Sequence, residues 1–372
     1  MSTNDKETEQ PIVSGVNSSA HFNGSAQLEQ PRHAAQANDL KRVVLFAGDN
    51  GTTHAVLNKL VPELLDAGIE PMIYLTPGSS SPKSRIDEIQ DFSFFETGIL
   101  EPVYDYLEHS KQITQENGEP REDKFYSPNQ LAQFYGIHVE KIQSVNDPSL
   151  IEDINNDPTI IGSVSVKNYQ LFSEPAIEAL RQDDKFLWNV HTGELPKYRG
   201  VFVPVRVMQD DAKEYGWTLH EIDENIDTGS VIDIRTRAIK PEMTALDAYY
   251  GMVDKGSGMI ADNIKLAAKG MPRPPIPQNH DEARYFSFPT AEEIQELEER
   301  DPPRILYDED AMIERYVQMF SDDAYHYDHA SGLGMVIQGA IEDYRNGVPL
   351  STRAHLYVTD SEDLDGTAPP SA

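Results

Sequence analysis

The fold class is decided by residues 41–75, which read KRVVLFAGDNGTTHAVLNKLVPELLDAGIEPMIYL. The apolar run at 43–47, followed by Gly48, is typical of a buried parallel strand that leads into a loop. Apolar residues then recur on one face at helical spacing: Val56, Leu57, Leu60, Val61, Leu64 and Leu65. Gly68 ends this helix and residues 71–75 predict a second strand, so the segment predicts a βαβ unit.

Four further strands are predicted downstream, at 159–166, 186–191, 217–222 and 230–235. The third of them alternates apolar and polar residues, like a strand that is exposed on one face. A helix predicted at 244–269 closes the domain. Because a βαβ unit comes first and antiparallel-looking strands follow, we expect an α/β fold with a Rossmann-like open, mostly parallel twisted sheet flanked by helices.

Composition divides the chain into four predicted parts. Residues 1–40 lack periodic apolar residues and predict a disordered acidic leader, and 41–240 form the Rossmann-like domain. Residues 241–350 form a linker and a smaller helix-rich C-terminal region, and 351–372 form a flexible tail. Within the third part, the proline-rich stretch at 271–277 predicts an extended linker. The helices predicted after it lie at 290–300, 308–320 and 333–345, the last with one buried face.

The charge of the chain limits its partners. There are 63 acidic and 31 basic residues, which gives a net charge of −32. Such a surface repels phosphate backbones and anionic lipids, so we expect no nucleic-acid and no membrane partner. No apolar run approaches the roughly 20 residues of a membrane helix, and the first residues lack the apolar core of a secretory signal. From this we expect a cytoplasmic location.

The chemistry of the chain is concentrated in residues 189–200, which read NVHTGELPKYRG. Asn189 and His191 end a predicted strand two residues apart, so both side chains leave it on the same face. They do so at the carboxyl end of the strand, where open α/β sheets bind ligands. Asp227 follows in an acidic turn between the next two strands. An amide donor, an imidazole and a carboxylate together indicate acyl-transfer chemistry.

This pattern resembles the folate-dependent formyltransferase family, which includes methionyl-tRNA formyltransferase, glycinamide ribonucleotide transformylase and the sugar N-formyltransferases. That family carries Asn-x-His, then Leu-Pro-x-Tyr/Trp-Arg-Gly, then Asp-Thr-Gly, and all three stand here in that order at 189–191, 195–200 and 227–229. The resemblance is specific over roughly 160–235 and rests on architecture alone over 41–75.

The resemblance implies a role for each residue of the pattern. An amine attacks the formyl carbon of N10-formyltetrahydrofolate, and Asn189 donates to the oxyanion that develops. His191, when protonated, is the second donor and returns a proton to the departing folate nitrogen, while Asp227 holds the imidazolium and accepts the proton of the amine. The chain is then a formyltransferase with a folate co-substrate and no metal. The turn that lines the pterin pocket consists of Ile222, Asp223, Glu224, Asn225 and Ile226.

A second group of residues is expected to contact the acceptor. Lys197, Tyr198 and Arg199 belong to the motif itself, although that stretch is equally a loop with a buried tyrosine. Tyr285 and Phe286 follow the linker and resemble an aromatic segment of sugar-modifying members, where they either stack on a nucleotide base or dock the linker on the core. The acceptor we expect first is a nucleotide-linked amino sugar, because the charge and the C-terminal pattern do not fit a tRNA partner.

Several alternatives stay open. One alternative acceptor is a hydroxylamine or amine in siderophore-type natural-product assembly. A second is water, as in a formyltetrahydrofolate hydrolase. The non-enzymatic alternative is a folate-binding scaffold. Residues 271–350 either form a homodimer contact or bind the acceptor. His326, Asp328 and His329 fit no familiar metal spacing and are interpreted as part of a solvated acidic face, so no metal site is predicted.

Overall fold

The computed structural model describes residues 40–77, 94–100, 102–103, 126–302 and 332–348. The predicted leader, apart from residue 40, lies outside these residues, as do the helix predicted at 308–320, the tail at 351–372 and the histidines near 326. No helix within the described ranges is long and apolar enough to cross a membrane.

One seven-stranded sheet organises the molecule, in the order β3-β2-β1-β4-β5-β7-β8. Its strands are β1 (Lys41–Gly48), β2 (Ile69–Thr76), β3 (His138–Lys141), β4 (Ile160–Val166), β5 (Phe186–His191), β7 (Glu214–Glu221) and β8 (Val231–Ala238). Strands β1 to β5 are parallel, and β7 and β8 are antiparallel additions at one edge. A separate two-stranded parallel pair joins β6 (Arg199–Gly200) to β9 (Tyr285–Phe286). The predicted Rossmann-like, mostly parallel sheet is confirmed.

Helices cover both faces of this sheet. They are α1 (Gly51–Asp66), α2 (Pro128–Tyr135), α3 (Pro148–Asn156), α4 (Glu174–Leu180), α5 (Val203–Gln209), α6 (Ala245–Tyr250), α7 (Val253–Ala268), α8 (Ala291–Glu298) and α9 (Gly332–Arg345). Short π- and 3₁₀-helical turns lie at Phe94–Gly98, Gln182–Asp184 and His280–Glu282.

The apolar run of β1 is buried because the sheet has a core on each side. Val43, Leu45 and Ala47 belong to the core cluster that also contains residues of α1 and α7. Val44 and Phe46 point to the other face and join a smaller cluster with residues of α3 and α4. A strand that is covered on both faces reads as a continuous apolar run, as this one does.

The helix predicted at 244–269 is two helices. Thr244 begins α6 with a capping box in which its side chain accepts from Asp247 N and Asp247 returns the contact. The first helix ends at Gly251, whose carbonyl accepts a hydrogen bond from Arg237 Nη1 at 2.8 Å. The second helix, α7, begins at Val253 and packs against α1 and β8.

The C-terminal region attaches to the same core. The linker is extended as predicted, and Ile276 exchanges two backbone hydrogen bonds of 2.8 Å with Val231. In α9 the predicted apolar face is confirmed, since Val336, Ile337, Ala340 and Ile341 are buried.

We expect the contact between α7 and β7 to tolerate no added methyl group. A Cβ atom on Gly256 would lie 2.2 Å from the ring of Trp217, which is 1% exposed. Gly256→Ala should therefore lower the free energy of unfolding by about 2 kcal/mol, despite the better helix propensity of alanine. Chemical denaturation measures this change.

Gly258 provides the matched control two residues further along α7. A Cβ atom there would lie 3.3 Å from Nη1 of Arg235, the movable end of a long side chain. Gly258→Ala should leave stability unchanged or raise it by up to about 1 kcal/mol. Equal losses for both variants would contradict the packing described for Gly256.

Candidate active site

A cavity of about 410 Å³ lies where β4 and β5 end. Its lining combines the end of β5 (189–192), the chain that follows β4 (167–172), the segment 200–205 and the turn 222–227. Both the volume and the mixture of aromatic side chains with a few polar groups are typical of a small-molecule site. Of the three residues expected to carry the chemistry, Asn189, His191 and Asp227 all line it.

Asn189 is positioned by a histidine on the neighbouring strand. The register between β5 and β7 places His220 directly opposite Asn189, so both side chains stand on the same face of the sheet. Asn189 Nδ2 lies 3.1 Å from His220 Nε2. His220 Nδ1 lies 2.7 Å from the carbonyl oxygen of Glu221, which can only accept. Nδ1 therefore carries the proton, and Nε2 accepts from the Asn189 amide.

Burial keeps His220 in this neutral form. The side chain is 3% exposed, and its burial lowers the pKa to about 4, against a raising effect of Asp227. Sequence reasoning missed His220 because it interpreted 217–222 as a half-exposed strand. In the structure β7 is buried on both faces, since α7 packs against one and residues 193 and 195 bond to Thr218 on the other. A histidine at an inward position of β7 was the available signal, but its partner depends on the strand register.

His191 lies between two acceptors. Its Nδ1 is 3.3 Å from Asp227 Oδ1, and its Nε2 is 2.5 Å from the carbonyl oxygen of Tyr198. A neutral ring has a single N–H and would leave one acceptor facing a lone pair, whereas the imidazolium donates to both. The hydrogen-bond partners of His191 therefore favour the protonated ring.

Asp227 is held from several sides. Its backbone is left-handed, with φ of 57°, which is unusual for a residue other than glycine. Gly200 N donates to Oδ2 at 2.9 Å, and Gln278 Nε2 donates to the Asp227 carbonyl at 3.0 Å. The turn also passes so close to β7 that a Cβ atom on Gly229 would lie 1.9 Å from Glu221 O. These contacts fix the carboxylate beside His191.

The expected cofactor turn also lines the cavity. All five predicted residues contribute to its wall: Ile222, Asp223, Glu224, Asn225 and Ile226. Within the turn, Asp223 Oδ1 accepts from Asn225 N at 3.1 Å and from Thr228 Oγ1 at 2.6 Å, which makes the loop internally hydrogen-bonded. Ile226 remains 44% exposed and presents an apolar side chain at the cavity.

Three residues expected to contact a substrate have other partners and do not line the cavity. Lys197 pairs with Glu194 at 2.5 Å on the surface. The Tyr198 hydroxyl donates to Asp210 at 2.8 Å, and burial together with that carboxylate raises the pKa of Tyr198 to about 12. Arg199 is buried and donates to Gln278 Oε1 at 2.7 and 3.2 Å. Each of these three side chains thus has a protein partner, and contact with an acceptor stays a prediction for them.

The two aromatic residues after the linker have different environments. Phe286 stacks on Tyr198 with ring centroids 6.0 Å apart and does not line the cavity, so it docks the linker on the core. Tyr285 lines the cavity and is 62% exposed. Of the pair, Tyr285 alone is placed to meet a ligand.

The described residues contain no group of three or more histidine and acidic side chains arranged to hold a metal ion.

The neutral His220 predicts a pH dependence of stability. Between pH 6.5, its ordinary pKa, and about 4, the unfolded chain binds a proton that the folded chain excludes. The free energy of unfolding should therefore fall as the pH is lowered through this window, by up to about 3 kcal/mol from this group. In urea unfolding at a series of pH values, the free energy of unfolding of His220→Gln should change less steeply with pH between about 4 and 6.5 than that of the wild type.

His138→Gln, at an exposed histidine of β3, is the control and should behave as the wild type does. Identical slopes for His220→Gln and the wild type would contradict the buried neutral ring.

Comparison with known proteins gives a consistent picture. Residues 121–262 match the formyl transferase family model. The chain is 27% identical over 203 residues to the methionyl-tRNA formyltransferase of Dictyoglomus thermophilum, covering 52% of this chain and 62% of that protein. It is 29% identical over 156 residues to the same enzyme of Fervidobacterium nodosum, covering 42% and 47%. The chain thus matches about half the length of these relatives.

Solved structures with a similar arrangement include an N-formyltransferase from Helicobacter canadensis in complex with folinic acid and dTDP-3-aminofucose. It is 20% identical, with a TM-score of 0.42 and coverage of 67% of this chain and 71% of that one. A sugar N-formyltransferase from a Shewanella species is 14% identical, with a TM-score of 0.43 and coverage of 77% and 90%.

The Asn-x-His, Leu-Pro-x-Tyr-Arg-Gly and Asp-Thr-Gly motifs all lie inside the segment that matches the formyl transferase model, and each contributes at least one residue to the cavity wall: Asn189 and His191 from the first, Gly200 from the second and Asp227 from the third. Residues 121–262 are thus similar to the formyl transferase family over the segment that carries the three motifs.

Proposed function

We propose that this protein transfers a formyl group from N10-formyltetrahydrofolate to the amine of a small molecule. One observation carries the proposal: Asn189, His191 and Asp227 meet in the same cavity, with the imidazole and the carboxylate 3.3 Å apart. The match of residues 121–262 to the formyl transferase model supports it, and the two curated relatives are named as methionyl-tRNA formyltransferases.

The reaction forms a bond between the acceptor nitrogen and the formyl carbon and breaks the bond from that carbon to N10 of the folate. The acceptor nitrogen loses one proton and N10 gains one, so the site must both accept and supply a proton. Asp227 accepts the proton of the amine directly or through water, and once neutral it no longer holds the Nδ1 proton of His191, which passes to N10 of the folate. The acid is then protonated and the ring neutral, and transfer of one proton from Asp227 to Nδ1 of His191 restores the ion pair.

Charge develops on the formyl oxygen during this step. Asn189 has two amide N–H groups, and His220 accepts from its Nδ2 at 3.1 Å. The remaining N–H is the donor we assign to the oxyanion. Because the His220 contact fixes the orientation of the amide before the substrate arrives, little reorganisation is needed when the charge forms.

The donor half of the site is assigned to the turn 222–226. This turn supplies the apolar side chains of Ile222 and Ile226, against which a flat heterocycle packs, and its backbone supplies polar groups for the edge of the pterin. The segment 200–205, which starts beside Asp227 at Gly200, forms the adjacent wall.

For the acceptor, we propose a nucleotide-linked amino sugar. A net charge of −32 disfavours binding of tRNA, although tRNA is the substrate named for the two relatives. Tyr285 offers an exposed ring at the cavity on which a base can stack. An amine or hydroxylamine without a nucleotide does not use that ring, and this difference separates the two acceptor classes.

The first test is turnover of N10-formyltetrahydrofolate by the purified protein, followed through the tetrahydrofolate product. We expect turnover with nucleotide-linked 3- or 4-amino sugars and none in buffer alone. Turnover only with free amines or hydroxylamines would support the transferase activity but contradict the proposed acceptor class. Turnover in buffer alone would establish a hydrolase instead, and binding of tetrahydrofolate without any turnover would favour the scaffold.

We expect Asn189→Ala to lower kcat about 100-fold to 1,000-fold, because it removes the oxyanion donor. Thermal unfolding should show that the variant is folded. Asn156→Ala, at an exposed asparagine that ends α3, is the matched control and should leave kcat unchanged. A kcat for Asn189→Ala within threefold of the wild type would remove Asn189 from the mechanism.

A further inference from the structure

Asp227 is bound twice from the same dipeptide of the chain. Gly200 N donates to its side-chain Oδ2 at 2.9 Å. Its backbone carbonyl accepts from Gln278 Nε2 at 3.0 Å, and Gln278 Oε1 accepts in turn from the guanidinium of Arg199 at 2.7 and 3.2 Å. Because Arg199 and Gly200 are consecutive and form β6, these hydrogen bonds close a ring through the linker. We call it the Gln278 ring.

One orientation of the Gln278 amide satisfies this ring. A guanidinium only donates, and the backbone carbonyls of Asp227 and Gly229 only accept. Nε2 donates to these two carbonyls at 3.0 and 2.7 Å, so Oε1 must face Arg199. Gln278 and Arg199 are each 8% exposed, so bulk water does not readily replace either partner. Arg199 therefore sets the orientation of the amide, since a flipped amide would place its oxygen against two carbonyl oxygens.

The backbone of Asp227 needs support from outside its own turn. Its φ of 57° lies in the left-handed region, which a residue with a side chain adopts at a cost and keeps only where neighbours hold it. Gln278 binds the carbonyls of residues 227 and 229 and so spans this part of the turn. From the same backbone the carboxylate reaches His191, whose Nδ1 lies 3.3 Å from Oδ1. A change of backbone conformation at Asp227 therefore moves the carboxylate away from the ring.

The linker is attached on both sides of Gln278 by backbone contacts alone. Before it, Ile276 exchanges two hydrogen bonds of 2.8 Å with Val231, at the start of β8. After it, β9 pairs in parallel with β6. Because neither attachment uses the Gln278 side chain, the amide can be changed without releasing the linker.

We propose that Gln278 is a positioning residue for formyl transfer, and that Arg199 acts through it by orienting its amide. This assignment rests on the proposed function, in which Asp227 accepts the proton of the amine. Neither Gln278 nor Arg199 lines the cavity, so both act by way of the Asp227 backbone. A displacement of about 1 Å at a reacting group costs on the order of 100-fold in rate. Loss of the Gln278 ring should therefore lower kcat and leave the KM of the acceptor little changed.

The test compares two glutamines that each accept from an arginine. Gln278→Met removes the amide and keeps the length of the side chain, and it should lower kcat about 100-fold with the nucleotide-linked amino sugar that the wild type uses. Gln209, at the end of α5, accepts from Arg206 Nη1 at 2.8 Å and does not line the cavity. Gln209→Met should therefore leave kcat unchanged. A kcat for Gln278→Met equal to that of Gln209→Met would overturn the proposal.

Amide hydrogen exchange, followed by NMR on the full chain, reports the position of Asp227 without turnover. The Gly200 N–H, which donates to the carboxylate, should exchange at least about tenfold faster in Gln278→Met than in the wild type. The N–H groups of Arg199 and Val201 donate to backbone carbonyls after the linker and should exchange as in the wild type. Unchanged exchange at Gly200 would overturn the positioning role. The expected exchange difference, in a protein that transfers no formyl group, would refute the proposed function alone.

Further variants guard against a general loss of structure. Gln278→Glu keeps an oxygen for Arg199 but turns a carboxylate oxygen toward the carbonyls of Asp227 and Gly229, so its kcat should fall as in Gln278→Met. Arg199→Lys keeps a donor for Oε1 and should retain kcat within about fivefold of the wild type, whereas Arg199→Met should lose it. An unchanged kcat with a raised KM of the acceptor in Arg199→Met would overturn the orienting role of Arg199.

Discussion

The Asp227 carboxylate is the point at which the separate parts of the site meet. Its two oxygens accept from the ring of His191 on β5 and from the backbone of Gly200 at the end of the Leu-Pro-x-Tyr-Arg-Gly motif. A left-handed backbone at Asp227 turns the carboxylate back toward the sheet, and that conformation persists only because neighbouring contacts hold it. Asp227 of the Asp-Thr-Gly motif therefore contacts both the Asn-x-His motif, through His191, and the Leu-Pro-x-Tyr-Arg-Gly motif, through Gly200.

The linker is part of this support. Gln278 accepts from Arg199 with its side-chain oxygen and donates with its amide nitrogen to the carbonyls of Asp227 and Gly229, at 3.0 and 2.7 Å. The side-chain amide of Gln278 thus connects Arg199 to the turn that carries Asp227. The proline-rich stretch 271–277 leads directly to Gln278, and its prolines lack the N–H donors that a helix would need. Arg199 is thereby linked to the turn through Gln278 and does not itself line the cavity.

Sequence reasoning reached the parts of the molecule that depend on local patterns. The apolar run at 43–47 and the paired Asn189 and His191 follow from burial and from the two-residue period of a strand, and both stand as predicted. His220 was missed because its partner is set by the register between β5 and β7, which no local pattern encodes. The partners of Tyr198 and Arg199 could not be predicted for a related reason, since Asp210 and Gln278 are not adjacent to them in the sequence.

Two histidines near one carboxylate would ordinarily compete for its charge. His220 Nε2 lies 3.8 Å from Asp227 Oδ1, only 0.5 Å further than His191 Nδ1 at 3.3 Å. Two features distinguish the rings: the hydrogen-bond partner of the second ring nitrogen and the depth of burial of His220. His220 donates its N–H to the Glu221 carbonyl, and its burial disfavours a second proton. The lone pair on its Nε2 therefore accepts a hydrogen bond from the Asn189 amide. His191 faces acceptors on both sides and is best satisfied as the cation. The two histidines thus differ in what surrounds them: His220 presents a lone pair that orients the Asn189 amide, and His191 faces the Asp227 carboxylate and the Tyr198 carbonyl.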